Sequence, residues 1–119
     1  MTNVLVTGAG GFIGGHLVAR LREQGVENIR GVDRVPLDEW HQLFDDVDSR
    51  NADLQDLAEC HSACEGVDTV YNLAADMGGM GFIENNKALC MLSVLINTHM
   101  LLAAKDNRVK KFFYSCQFC

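Results

Sequence analysis

The sequence predicts a doubly wound α/β fold, a parallel sheet of about five strands with helices on both faces. Three observations predict it. Short apolar runs alternate with stretches of helical spacing along all 119 residues, and the joints are short, as right-handed crossovers between parallel strands require. A glycine-rich turn, Thr7-Gly8-Ala9-Gly10-Gly11-Phe12-Ile13-Gly14, follows the first apolar run and opens the first helix. A second stretch almost without side-chain bulk, 71–83, ends the fourth run. Two strand ends thus leave room for a phosphate-bearing group to lie against main-chain atoms.

The elements follow in order. Residues 3–7 are a short apolar strand, and Phe12, Ile13, Leu17, Val18 and Leu21 have the spacing of one buried helix face, which Gly25 stops. Residues 29–33 read as the second strand. The stretch 34–46 holds the only proline and trades periodicity for mixed charge, so it reads as a loop or irregular helix. A weak third strand covers 47–50 and precedes Asp53; Leu54, Leu57, Ala58, His61 and Cys64 then mark a short helix ended by Gly66. The fourth strand is 69–73. From 84 to about 106 runs one long helical pattern rich in Leu, Met and Ala, interrupted by Asn97, Thr98 and His99, and 111–115 is the fifth strand. No linker or repeat divides the chain, so 1–119 reads as one domain. Its last strand stops at the ligand side of the sheet, and the expectation is a domain truncated before a further lobe.

Composition sets limits on function. A 48% hydrophobic content and a net charge of −6 fit a globular domain and argue against a general nucleic-acid surface. The cluster Arg108, Lys110 and Lys111 stands where it complements a helix dipole. There is no apolar run long enough for a membrane span and no signal-peptide pattern, which makes a cytoplasmic location the expectation. The five cysteines read as buried or reactive thiols. Cys60 and Cys64 flank His61, and Cys116 and Cys119 form a C-x-x-C, but paired knuckles are missing and no metal site is assigned. His16, His41, His61 and His99 share no ligating spacing and receive no catalytic role.

Gly8, Gly11 and Gly14 recur at the three-residue interval that a dinucleotide requires: a tight turn, a close approach of the pyrophosphate, and close helix packing. Asp33 ends the second strand about twenty residues on, where a carboxylate accepts from the adenosine ribose hydroxyls and favours NAD over NADP. Arg34 beside it is suited instead to a 2′-phosphate. Asp53 reaches an adenine amino group or serves as a helix N-cap. Leu73, Ala74 and Ala75 are small enough to lie beside ribose and nicotinamide, although close helix-to-sheet contact calls for the same types. With Phe12, Ile13 and Leu54 these form the candidate cofactor-binding set.

The pattern Thr7 to Gly14, the tetrapeptide Asn72-Leu73-Ala74-Ala75 and Asp53-Leu54 together resemble the extended short-chain dehydrogenase/reductase superfamily of nucleotide-sugar enzymes, with its Rossmann-type sheet. Within it, 72–83 is similar to the GDP-mannose 3,5-epimerases. The resemblance implies a reaction in which bound NAD transiently oxidises the sugar at C4, the protons at C3 and C5 are exchanged, and the ketone is reduced again. It implies NAD as cofactor, a GDP-mannose-like nucleotide sugar as substrate, Gly78 touching that substrate through its backbone, Cys119 as the catalytic acid/base, and a homodimer formed through helices, for which the apolar stretch 88–104 is suited although core burial explains that stretch equally well. There are departures. Ser115, Cys116 and Gln117 stand where the family has a small residue and two serines. The family's Tyr-x-x-x-Lys pair, in which lysine lowers the tyrosine pKa, is missing: Tyr71 is followed at four residues by Ala75 and Tyr114 by Phe118. The chain is therefore expected to bind cofactor without epimerising a sugar by itself. The alternatives are another sugar-nucleotide epimerase, dehydratase or reductase, and a non-catalytic dinucleotide-binding module.

Overall fold

The computed structural model describes residues 2–74 and 83–114, and for 83–93 and 114 the backbone alone. Among the described residues, five strands form one parallel sheet in the order β3-β2-β1-β4-β5. Along the chain come β1 (Asn3–Thr7), α1 (Phe12–Glu23), β2 (Asn28–Asp33), a 3-10 turn (Leu37–Glu39), β3 (Asp48–Asn51), α2 (Leu57–Cys64), β4 (Thr69–Asn72), α3 (Ile83–Asp106) and β5 (Lys111–Tyr114). The doubly wound α/β class read from the sequence is the one observed.

Strand geometry sends alternate side chains to opposite faces. Leu5, Val32 and Val70 point to one face, where Cys60, Ala63 and Cys64 of α2 meet Ile96, Met100, Ala103 and Ala104 of α3. Val4, Val6 and Ile29 point to the other, against Val18 and Leu21 of α1. There the stretch before β3 supplies Trp40, Phe44 and Val47 in place of a second helix. Arg22 ties this stretch to α1, donating to both Asp46 oxygens at 2.9 and 3.0 Å and lying 4.4 Å over the Phe44 ring. The same hydrogen bonds hold the Asp46 carboxyl below its usual pKa.

Two helix faces differ from the sequence reading. Phe12 and Ile13 are each 63% exposed, and the inward face of α1 begins at Gly14. The first turn of α1 stands at the end of the strands, and its side chains have no sheet beneath them. α2 starts at Leu57, because the Asp56 side chain accepts from Ala58 N at 2.9 Å and caps it. Leu54 is therefore buried ahead of the helix, Leu57 and Ala58 are exposed, and the inward face is Cys60, Ala63 and Cys64. Burial pushes these thiols up, Cys60 to about 12 and Cys64 to about 11, and Cys60 Sγ donates to Leu54 O. No helix among the described residues is long and apolar enough to cross a membrane.

Gly25 and Gly66 end their helices in the left-handed region, at φ 88° and 75°. The third stop is not a glycine. Arg108 takes φ 59° after α3, with Arg108 N donating to Lys105 O and Val109 N to Ala104 O. A side chain in that region is strained, and glycine is not. Arg108→Gly is expected to stabilise the fold by about 0.5–1 kcal/mol, seen as a higher urea midpoint at unchanged slope.

Candidate cofactor-binding cleft

A cleft of about 330 Å³ opens where β1, β2 and β4 end, lined by Gly8, Gly11, Phe12, Ile13, Gly14, Asp33, Arg34, Ala52, Asp53, Leu54, Leu73, Ala74 and Ile96. Ligands in open parallel sheets bind at this end. The glycine turn makes its floor. Gly8 has φ 72°, and its N–H, with that of Ala9, donates to Val32 O at the end of β2. A Cβ on Gly8 would come within 2.9 Å of the Leu73 carbonyl carbon, and one on Gly14 would overlap Gly8 O. The protein's own packing thus demands glycine at both positions.

Gly11 is different. Among the described residues a Cβ there would meet nothing nearer than Gly8 O at 3.5 Å, an ordinary contact, and its φ of −83° suits any residue. Gly11 is also the N-cap of α1, with no side-chain cap bond and no acid in the first turn. The positive end of the helix and its uncapped N–H groups are left for an anion in the cleft.

Asp33 is oriented by two backbone donors on different segments. Gly10 N donates to Oδ2 at 2.9 Å and Val35 N to Oδ1 at 3.1 Å, and each oxygen keeps a lone pair for a further hydroxyl. Arg34 beside it is exposed. Asp53 lies across the cleft between Ala52 and Leu54, its Oδ1 accepting from Gln55 N at 2.9 Å. Since Asp56 is the cap of α2, Asp53 is not. Leu73 and Ala74 form the wall at β4. Ala75, Gly78 and Cys119 lie outside the described residues.

Behind that wall stands a polar chain that the candidate set did not contain. Thr7 Oγ1 donates to Asn72 Oδ1 at 2.6 Å and accepts from Ala74 N at 3.0 Å; Asn72 Nδ2 donates to Asn97 Oδ1 of α3 at 2.7 Å. Thr7 and Asn72 are fully buried. Their signal in the sequence is a polar residue closing a strand right after its apolar positions, and Asn97 is one of the residues that break the apolar pattern of α3. Ala52 and Ile96 also line the cleft without having been singled out.

The two glycines separate by experiment. Gly14→Ala is expected to lose about 3 kcal/mol or more through backbone overlap, whereas Gly11→Ala stays within about 0.5 kcal/mol of the parent in chemical denaturation.

Comparisons with known proteins agree with this geometry. The family model described as NAD dependent epimerase/dehydratase matches residues 4–116. A GDP-mannose 3,5-epimerase of Arabidopsis thaliana is 38% identical over 125 residues, covering 98% of this chain and 31% of the relative. GDP-mannose 3,5-epimerase 1 of Oryza sativa subsp. japonica is 40% identical over 121 residues, with the same coverages of 98% and 31%. Among solved structures, a short-chain dehydrogenase/reductase superfamily protein from Agrobacterium tumefaciens with bound NAD superposes with a TM-score of 0.74 at 28% identity, over 93% of this chain and 31% of that one. The chain spans about a third of the length of these relatives. A glycine turn between β1 and α1, an acid closing β2 and a match over almost the whole chain place it in the NAD-dependent epimerase/dehydratase family.

Proposed function

We propose that this cleft binds NAD, and that 1–119 is the cofactor-binding domain of an enzyme acting on a nucleotide sugar of the GDP-mannose kind. Gly11 carries the reading. Its missing side chain is explained by no contact with the described residues, and it lies where a pyrophosphate approaches the helix N-terminus. The residues present fit the cofactor. The first-turn N–H groups of α1, at Phe12 and Ile13, take the pyrophosphate; Asp33 accepts from the adenosine ribose; Asp53 beside Leu54 meets the adenine amino group. Leu73 and Ala74, with Ala75, flank ribose and nicotinamide.

Bound there, NAD supplies a reversible hydride acceptor for the sugar C4. By resemblance to the epimerases, Gly78 contacts the sugar nucleotide through its backbone and Cys119 moves the protons at C3 and C5. Neither tyrosine of the chain has lysine four residues on, so no activated phenol takes the C4 hydroxyl proton. The chain alone holds cofactor and does not turn over GDP-mannose. A freely soluble nucleotide sugar as substrate fits a cytoplasmic protein.

Calorimetric titration of the chain tests the cofactor. NAD is expected to saturate one site and NADP to bind at least about tenfold more weakly, since a 2′-phosphate would face the Asp33 carboxylate. Asp33→Ala and Gly11→Ala each lose about tenfold or more in NAD affinity while remaining folded. Absence of saturable NAD binding by folded wild-type chain overturns the reading.

We also propose that α3 pairs two copies of the protein. Beyond its inward face it carries Val94, Leu95, Leu101 and Leu102 outward, 62, 38, 49 and 46% exposed. Their i, i+1, i+7, i+8 spacing makes one stripe, which a second copy covers about a two-fold axis. Sedimentation should show a dimer that Leu101→Glu with Leu102→Glu converts to monomer; a monomeric wild type removes this proposal.

A further inference from the structure

Trp40 does not line the cleft, yet it touches every part that fixes Asp33. Its ring lies on Gly10, where a Cβ would come within 2.7 Å of Trp40 Cδ1. Its Nε1 donates to Val35 O at 2.8 Å, and the next residue, His41, donates its N–H to Gly10 O at 3.0 Å. Gly10 and Val35 are the two residues whose N–H groups hold the Asp33 carboxylate. The contacts close a ring: Trp40 to Gly10, Gly10 to Asp33, Asp33 to Val35, Val35 back to Trp40. Asn51 Nδ2 braces the same corner from β3, donating to Asp33 O at 3.1 Å and Val35 O at 3.0 Å.

A carboxylate that accepts from two neighbouring ribose hydroxyls must present both oxygens at once. A freely rotating one loses conformational entropy to do so. Here the rotation is already fixed by donors on either side. We propose that Trp40 is a positioning residue for cofactor choice: by holding the Gly10 and Val35 peptides it fixes Asp33 as an acceptor pair for a free 2′,3′-diol. The cleft then selects a dinucleotide whose adenosine ribose carries both hydroxyls. This rests on the NAD reading of the cleft. It differs from a packing role, because loss of packing weakens every ligand alike, whereas loss of a fixed carboxylate weakens only the ligand that uses both oxygens.

Trp40→Phe keeps a ring against Gly10 and removes the Nε1 donor. The full chain and this variant are titrated with NAD and with its analogue built on 2′-deoxyadenosine. The wild type prefers NAD; in Trp40→Phe the NAD affinity falls about three- to fivefold, Asn51 retaining part of the hold on Val35 O, while the analogue is unaffected. The ratio of the two affinities therefore shrinks. Equal weakening of both ligands, or no change in either, overturns the proposal. Amide exchange in the ligand-free chain gives a second reading: Val35 N–H exchanges faster in Trp40→Phe, and unchanged exchange also overturns it. If the wild type binds neither dinucleotide, the selection proposed here falls with the NAD reading, and the exchange experiment still shows separately whether Trp40 holds the Val35 peptide.

Discussion

Thr7 and Asn72 stand in register at the ends of β1 and β4 and are both wholly buried. Both are out of reach of bulk solvent, so their polar atoms depend on protein partners, and an orphaned one at such a depth costs about 1–3 kcal/mol. The 2.6 Å bond between them therefore allows the two strands one relation. Much of the cleft hangs on that relation. Ala74 N reaches Thr7 Oγ1 only in this register, which sets how the chain leaves β4. Gly8 passes within contact of the Leu73 backbone for the same reason, and Gly14 then seats α1 on Gly8. The other end of the Asn72 amide reaches Asn97, tying α3 to the same point. One buried polar chain thus aligns the floor, one wall and the helix behind it.

Sequence reading succeeded where the determining contacts are close along the chain. The glycine turn is a local motif, and Asp33 stands at a fixed distance from it along one βαβ unit. Gly25 and Gly66 end helices by backbone conformation, which residue type reveals. It failed where the cause lies elsewhere in the fold. Periodicity put Phe12 and Ile13 on the buried face of α1, but it cannot tell that the sheet ends before the first turn. It placed Leu54 and Leu57 in one helix because both are apolar, and a single carboxylate, Asp56, moved the start. Arg108 carries no turn signal and adopts the left-handed region because the end of α3 requires some residue to do so. Trp40 sits in the stretch with least pattern, and its importance comes from three-dimensional neighbours on other elements, Gly10 of the glycine turn and Gly31 of β2.

The two faces of the sheet are closed by different means. α2 and α3 cover one with regular helix packing and a continuous apolar cluster. On the other face α1 is joined by an irregular stretch held by specific bonds: the Arg22 fork on Asp46, the ring stacked beneath it, and the indole hydrogen bond of Trp40. Such a segment contributes less apolar burial than a helix, but it can place individual peptide groups where a helix would have used its own N–H groups internally. That is why the Val35 N–H of this stretch is available, with the Gly10 N–H of the glycine turn, to orient a carboxylate.

The rims of the sheet are also unlike. β3 is Asp-Ser-Arg-Asn, with Asp48 clasped by Arg50 and Arg30, while Arg30 also caps the end of α2 through Ala63 O and Glu65 O. β5 is Lys-Phe-Phe-Tyr, with Phe113 half exposed and stacked on Tyr71 at 5.1 Å. Among the described residues, each of these strands is paired on one side only. Charge discourages a foreign strand from adding beside β3, and an aromatic ladder invites one beside β5. Among the described residues the sheet thus has one receptive rim and one guarded rim: two copies that met edge to edge through β5 would turn only their charged β3 rims outward, and that pairing would stop at two.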